Sequence, residues 1–370
     1  MSARVFIWVQ HLLGFGHFAR ARVVAEALRD AGFEVTLVSG GMTPADAVPQ
    51  GISFVQLPAA RAKDELFDEL VDEHGRDVDT RWHEERRDRL LAAFNAARPD
   101  VLITETFPFG RRLVEFELMA LLETAKRAQQ NPQIVSSVRD VLQRPRKDAR
   151  AIAMVERARA FYDAVIVHSD PNVLRLEQSF AETAAIASRF LYTGYICAHI
   201  PPRTELRREI LVSAGGGAAG AGLIASALEA RKLCRAANLP WTFVTGPLAG
   251  APAPADGVTM ARSLPDFRGR LANAALSISQ AGYNTLIETA KARTPAILVP
   301  FETDREQEQV TRARAFADLG LVRIMRSKLL DPAALARLVD ATVGSTPPAA
   351  KLDFDGGGGT VRAVKRVLAR

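Results

Sequence analysis

Short runs of apolar and β-branched residues alternate with helix-length segments along this chain, and the alternation starts again after a double proline. Arg4–Gln10, Glu34–Ser39, Ser53–Leu57, Asp100–Thr104, Gln133–Ser137 and Ala164–His168 read as strands. Helices are predicted over Phe18–Ala31, Glu65–Ala97, Phe116–Ala128 and Ala149–Tyr162. Strands joined through helices pair in parallel, because a parallel crossover needs a long connection. After Ile200-Pro201-Pro202 the pattern resumes, with strands at Ile210–Ser213, Trp241–Val244, Val258–Met260 and Leu276–Ser279. The expected fold is therefore α/β, with two Rossmann-like doubly wound domains over residues 1–200 and 201–352 and a tail at 353–370. Ligands of such sheets sit at the carboxyl ends of the strands. The glycine-rich loops of the two domains are thus expected to face one central cleft.

Composition narrows the partners. The 48% hydrophobic and 24% charged residues are those of an ordinary globular protein. Net charge is +6, compatible with an anionic ligand or membrane surface and too modest to argue for nucleic acid. Cys197 and Cys234 form no disulfide framework and no metal-ligand spacing, which suits a reducing compartment. The apolar run Val5–Val9 breaks at Gln10-His11 and lacks a cleavage site, so it reads as a buried strand and not a signal peptide. No stretch is long enough to cross a bilayer. A cytoplasmic protein is expected.

The segment Ser279-Gln280-Ala281-Gly282-Tyr283-Asn284-Thr285-Leu286-Ile287-Glu288 reads as a loop and a helix, and Pro295–Pro300 as a short buried strand. Glycine lets a ligand approach the backbone, and a helix N-terminus receives anionic oxygen. Glu288 follows Asn284 by about one helical turn and can reach the hydroxyls of a ligand seated there. Such a segment suits phosphate at the helix start, near Gly282, Asn284 and Thr285, with a ribose diol on the carboxylate.

This segment, continued by Asp304-Arg305-Glu306-Gln307-Glu308-Gln309, resembles the nucleotide-sugar-binding signature of glycosyltransferase family 28. That family includes the N-acetylglucosaminyltransferase of peptidoglycan synthesis, and the wider group includes the UDP-glycosyltransferases. The resemblance is specific over Ser277 to Gly320 and weaker elsewhere. It implies the GT-B arrangement and sugar transfer from a nucleoside diphosphate, UDP being the likeliest, to an acceptor hydroxyl. Inversion and metal independence are implied the same way, with no cofactor beyond the co-substrate. It places Gly215, Gly216 and Gly217 at the diphosphate, Glu288 on the ribose, and Glu308 and Gln309 on the donor sugar. The family pair there is more often aspartate-glutamine, asparagine-glutamine or two glutamines, which leaves the sugar open. Together with the basic charge, the resemblance admits a lipid-linked acceptor or polysaccharide precursor and peripheral contact with the inner face of the membrane.

Three first-domain segments complete the candidates. Gly14-Phe15-Gly16-His17-Phe18-Ala19-Arg20 lacks the third glycine of the dinucleotide fingerprint, Arg20 standing in its place. On the residues alone, His17 is either a local cap or a base; the resemblance implies the base, because related enzymes carry a turn ending in Gly-His here. The pattern Gly-x-Gly-His-x-x-Arg is also similar to that of the UDP-sugar hydrolase of pseudaminic acid synthesis, so hydrolysis is the alternative to transfer. A nucleotide-sugar-binding protein without catalysis is a third reading. Asp140, in Ser137-Val138-Arg139-Asp140, is either a base or orienter of His17 or half of a surface pair with Arg139. The strand-end loop Thr104–Arg112 is either a plain loop and helix start or a shaper of the acceptor site, with Glu105 and two arginines near any acceptor phosphate. His168-Ser169-Asp170 is no hydrolase triad, since adjacent residues do not point at one another. In the tail, Asp355-Gly356-Gly357-Gly358-Gly359-Thr360 reads as a flexible joint or helix entry. The basic helix Val361–Arg370 follows, and the resemblance implies that it packs back on the first domain.

Overall fold

A computed structural model describes residues 2–12, 14–43, 48–63, 68–204, 206–215, 220–246, 255–303 and 306–370. The chain divides into two compact units, Met1–Ile196 with Asp353–Arg370, and Cys197–Leu352. The break falls a few residues before the double proline because Tyr195 is tied to the tail. Its N–H donates to Asp353 O (2.7 Å), and its carbonyl accepts from Gly356 N (3.1 Å).

The first unit is built on strands β1 (Arg4–Val9), β2 (Glu34–Ser39) and β3 (Ser53–Gln56), a hairpin of β4 (Ala60–Ala62) and β5 (Leu70–Asp72), then β6 (Val101–Glu105), β7 (Gln133–Arg139), β8 (Ala164–His168) and β9 (Phe190–Tyr192). Its helices are α1 (Gly16–Asp30), α2 (Thr80–Ala97), α3 (Glu115–Arg127) and α4 (Asp148–Phe161). The sheet runs β3-β2-β1-β6-β7-β8-β9, with every pairing parallel. Its strands are apolar on both faces, as a sheet covered by helices requires. Trp8, Phe6, Phe94 and Leu118 are fully buried in one core, and each such side chain contributes roughly 1.5–3 kcal/mol.

One helix is shorter than the sequence predicts. Leu70–Asp72 pairs antiparallel with Ala60–Ala62, and α2 begins only at Thr80, where the Asp79 carboxylate accepts from Trp82 N (2.8 Å). The charged residues between are folded by Asp72, whose carboxylate accepts from the N–H groups of His74 (2.8 Å) and Arg76 (2.9 Å). Inside the unit, Arg86 is fully buried with Glu117 and donates to Gly40 O (2.8 Å) and Gln10 Oε1 (2.6 Å), tying α2 to α3 and the sheet.

The second unit holds β10 (Glu209–Ser213), β11 (Trp241–Val244), β12 (Thr259–Ala261), β13 (Ala274–Ser279), β14 (Ala296–Leu298) and β15 (Arg323–Ile324). Its helices are α5 (Ala221–Leu233), α6 (Phe267–Asn273), α7 (Tyr283–Ala292), α8 (Glu308–Asp318) and α9 (Pro332–Thr342). The order β12-β11-β10-β13-β14-β15 is all parallel. Counted from β10, it is the 3-2-1-4-5-6 order of the dinucleotide-binding sheets. Helix α5 ends at Leu233, and a 3-10 turn over Arg235–Asn238 completes the helix expected through Ala236.

The last helix, α10 (Gly356–Leu368), belongs to the first unit. Its glycines are a packing face, not a joint. A Cβ on Gly356 would stand 2.6 Å from Ile196 N, and one on Gly359 only 2.0 Å from Thr193 O. Asp355 starts the helix by accepting from Gly358 N (3.2 Å).

Candidate functional site

In each unit the sheet order reverses beside the first strand, between β1 and β6 and between β10 and β13. Loops diverge at such a switch point and open a crevice at the carboxyl ends of the strands. The candidate residues collect on these loops.

In the first unit, His17 lies in the first turn of α1, directly after β1, and Glu105 is the last residue of β6. His17 Nδ1 stands 2.9 Å from both carboxylate oxygens of Glu105. Arg20, one turn further along α1, is buried and pairs with the same carboxylate; its Nη2 lies 3.1 Å from His17 Nδ1. Thr106 Oγ1 donates to Glu105 Oε2 (2.8 Å), and Arg111 Nη2 approaches it at 3.5 Å. The donor-only Arg20 Nη2 and the acceptor-only Glu105 carboxylate compete for Nδ1; the two carboxylate oxygens are closer (2.9 Å against 3.1 Å), which places the hydrogen on His17 Nδ1 and the lone pair on Nε2. His17 keeps 17% of its side chain exposed while Glu105 keeps 2%.

Burial, and after it the Arg111 guanidinium, pushes the His17 imidazolium down to about 3, against the pull of Glu105. Burial also works against the Glu105 carboxylate, yet its neighbours His17, Arg20 and Arg111 hold it well below the usual range. With His17 neutral, the two guanidinium groups are the permanent cations that keep Glu105 ionised. The imidazole is thus neutral, oriented and open on Nε2.

Asp140 lies just beyond β7, buried, and its carboxylate accepts from Val141 N (2.9 Å). The carboxylate against His17 is Glu105, with Arg20 beside it, so the orienting carboxylate is the one expected on the acceptor side. Arg139 ends β7, and its charge adds to the depression at His17. Gly14 precedes α1 with open space beside it, and Gly16 is its first residue. His168 is buried between Ser137 Oγ (2.8 Å on Nε2) and Thr193 Oγ1 (2.9 Å on Nδ1), and burial pushes it down to about 3. Asp170 accepts from Asn172 N and Asp353 N, so His168-Ser169-Asp170 anchors loops and the tail.

In the second unit, Gly215 follows β10 at φ +70°, a left-handed conformation that glycine adopts without strain. A Cβ there would stand 3.1 Å from Gln280 Oε1, on the loop after β13. Gly216 and Gly217 lie outside the described residues, as do Asp304 and Arg305. Gly282 caps α7 without a side-chain hydrogen bond, and Asn284 and Thr285 lie in the first turn. That leaves backbone N–H groups and the positive end of the dipole at the helix start. Glu288 sits in the next turn, buried, and accepts from Arg268 Nε (2.7 Å).

Much of the expected sugar-contacting run is engaged in holding itself. Gln309 Oε1 accepts from both Ala281 N (3.0 Å) and Phe301 N (3.0 Å), joining the loop after β13 to the segment after β14. Glu308 Oε1 accepts from the fully buried Arg312 (2.6 Å), which also donates to Ala281 O (3.2 Å) and lies over the Tyr283 ring. Glu302 is buried with Arg326 and Ser327, and Arg326 holds it down to about 2. Sequence reasoning missed Arg268 and Arg312, and it placed Arg111 as one of two arginines on the acceptor side. The signal available for Arg312 was an arginine one turn after Glu308 on a helix beginning at the expected site.

Residues 255–350 match the glycosyltransferase family 28 C-terminal domain. The second unit carries a family 28 glycosyltransferase domain. The chain is 40% identical over 80 residues to a UDP-N-acetylglucosamine--N-acetylmuramyl-(pentapeptide) pyrophosphoryl-undecaprenol N-acetylglucosamine transferase of Gloeothece citriformis, covering 21% of this chain and 22% of that protein. The like-named transferase of Erythrobacter litoralis is 25% identical over 213 residues, 53% of this chain and 52% of that one. The chain thus spans between about a fifth and half of these relatives' lengths. Among solved structures, the glycosyltransferase of kitacinnamycin superposes over 100% of this chain and 95% of its own, with TM-score 0.65 and 14% identity. That likeness establishes the fold, the two Rossmann-like domains of the GT-B glycosyltransferases. The family 28 match covers the part of the second unit that carries Gly282, Glu288, Glu308 and Gln309.

Proposed function

We propose that this protein transfers a sugar from a nucleoside diphosphate donor, UDP-linked, to an acceptor hydroxyl. The observation that carries this reading is the neutral His17 held by Glu105 through Nδ1, with Nε2 free to accept a proton. The acceptor hydroxyl attacks the anomeric carbon as Nε2 takes its proton. The bond from that carbon to the diphosphate oxygen breaks, and the leaving group carries the electron pair away. Backbone N–H groups at the start of α7 and on the loop after β10 receive the developing charge. Glu288 turns from Arg268 to the ribose diol, while the amide of Gln309 meets the sugar. Inversion and metal independence are carried over from the resemblance.

The acceptor class that the relatives' names favour is a lipid-linked sugar at the inner membrane face. No helix among the described residues is long and apolar enough to cross a membrane. Contact with lipid is therefore read as peripheral, by a cytoplasmic protein.

Purified protein is tested for UDP binding and for turnover of UDP-sugars with and without acceptor. His17→Ala is expected to keep UDP affinity and lose transfer. Unchanged transfer in that variant defeats the assignment of the base. Sugar release without acceptor at the full rate marks a hydrolase, the reading favoured by buried Arg20 in the Gly-x-Gly-His-x-x-Arg pattern.

A further inference from the structure

Lys126, Arg159, Arg189 and Arg370 line one cavity of about 600 Å³ in the first unit. They come from the last turns of α3 and α4, the 3-10 turn before β9 and the residues after α10. Among the described residues, none of the four is in an ion pair with an acid. The one carboxylate on the wall, Asp163, accepts from Ile134 N (2.8 Å). The Gln133 amide and the Ser188 hydroxyl share the wall and have no hydrogen-bond partner among the described residues. Cations held around one cavity repel each other, and an anion entering from solution relieves that repulsion.

The cavity lies at the amino ends of the strands. Gln133 is the first residue of β7 and Asp163 directly precedes β8, whereas Glu105 is the last residue of β6. The length of β7, about 20 Å, therefore separates it from the site around His17. Cations near a helix C-terminus complement its dipole and cover its last carbonyls. Arg189 has that role for α4, since its Nη1 donates to Ala158 O (3.0 Å), Arg159 O (2.8 Å) and Tyr162 O. Lys126 and Arg159 cover no helix end. Lys126 makes no hydrogen bond among the described residues, and Arg159 reaches only Ala185 O, at 3.5 Å. A second cavity at the end of α3 shows the contrast, because Arg127 on its wall is answered by Glu123 (2.8 Å).

We propose that this cavity is a binding site, separate from the transfer site, for a small molecule carrying two or more phosphate groups. Three guanidinium groups and an ammonium group match several phosphate oxygens at once, and the amide and hydroxyl add neutral donors. The volume is that of a small-molecule site and exceeds what a single phosphate fills. A concave, polar wall suits a dissolved ion better than a flat membrane surface. The bound molecule joins α3 and α4 to the residues after α10, so occupancy fastens the tail to the edge of its own unit. This site is independent of the glycosyltransferase reading.

Inorganic pyrophosphate is the probe, titrated by calorimetry into the full chain, with thermal shift on the same samples. The wild type is expected to bind it, with a raised melting temperature. Inorganic phosphate should bind more weakly. Lys126 and Arg159 are exposed, so the double variant Lys126→Gln/Arg159→Gln should melt near wild type without pyrophosphate. It should bind pyrophosphate at least about tenfold more weakly, the loss expected for one charge-assisted contact. Arg127→Gln removes the same charge from the same turn of α3 and should bind as the wild type does. UDP affinity should be equal in all three proteins, which separates this cavity from a diphosphate site in the second unit. No uptake of pyrophosphate by the wild type, or equal uptake by the double variant, overturns the proposal. An equal loss in Arg127→Gln overturns it too, by reducing the effect to overall charge. Sedimentation with phosphatidylglycerol vesicles and no uptake of pyrophosphate would mark the four cations as a membrane-facing patch, and the small-molecule site would be abandoned.

Discussion

Replacing Glu105 with glutamine changes one oxygen for one nitrogen at the centre of the first-unit site. Glutamine keeps a single acceptor for three donors: His17 Nδ1, the Arg20 guanidinium and Thr106 Oγ1. If its oxygen stays with Arg20, the amide N–H faces His17 Nδ1, and the imidazole must move its hydrogen to Nε2, the atom proposed as base. If the oxygen stays with His17, Arg20 faces an amide N–H and a buried cation loses its counter-charge. Breaking a buried pair by removing one partner costs about 3–5 kcal/mol. A domain stable by roughly 5–15 kcal/mol remains folded after such a loss. Loss of an oriented general base lowers turnover by about 10²–10⁴. The expected outcome is a variant with a lower urea midpoint, UDP affinity within error of wild type, and transfer reduced at least a hundredfold. Urea melts, UDP calorimetry and a coupled assay of UDP release measure the three quantities. A Glu105→Gln protein that transfers at near wild-type rate shows that the carboxylate does not set the His17 tautomer, and the base assignment falls with it.

Three other outcomes follow from the same structure. Folded His17 and His168 sit at about 3 against an ordinary 6.5, so the unfolded chain binds the extra protons. Stability is fully present above about pH 6.5 and is lost as pH falls, by up to about 1.4 kcal/mol per pH unit for each histidine. Urea midpoints at several pH values check this, and a flat profile down to pH 5 counts against both. Glu288→Ala should weaken UDP binding about tenfold, as expected for a lost hydrogen bond to a charged group, and lower the melting temperature modestly, because the pair of the buried carboxylate with the half-exposed Arg268 is lost as well. Gly359→Ala drives a methyl group onto Thr193 O, and overpacking of that kind costs about 1–3 kcal/mol, read as a lower melting temperature with UDP binding intact.

The fold was legible because its signal is repetitive. Each parallel strand buried on both faces leaves an apolar run, and each switch-point loop leaves glycines or polar residues after one. Position at the end of a strand marked Glu105 as a candidate, and a place one helical turn after Asn284 marked Glu288. Partnership was not legible. Glu105 meets His17 because β1 and β6 are neighbours, a fact of sheet order that separates the pair by 88 residues. Asp140 had equal claim by residue type, and it lies just beyond the end of the next strand over. Glu308 and Gln309 were placed on the sugar by the resemblance, which says nothing of their neighbours: Glu308 answers the buried Arg312, and Glu302, just before the run, answers the half-buried Arg326. The glycines of α10 read equally as a joint or a helix entry; the structure has the helix entry, and their close approach to Thr193 and Tyr195 explains a composition that a hinge would share.

A base held at about 3 is weak for taking a proton from a hydroxyl, since catalytic groups work best with a pKa near the working pH. Burial is the first cause of that weakness, and the charges facing His17 come next. Glu105 raises its proton affinity, while Arg111 and Arg139 lower it, Arg111 more strongly. Arg20 stands against the same ring nitrogen as Glu105. Taking away the Arg111 charge is therefore expected to raise the proton affinity of the ring. Proton NMR titration of His17 in wild type and Arg111→Met reads this directly, with an upward shift expected in the variant. A titration that does not move would show that burial alone sets the proton affinity of His17, and the electrostatic account of its neighbours would have to be abandoned.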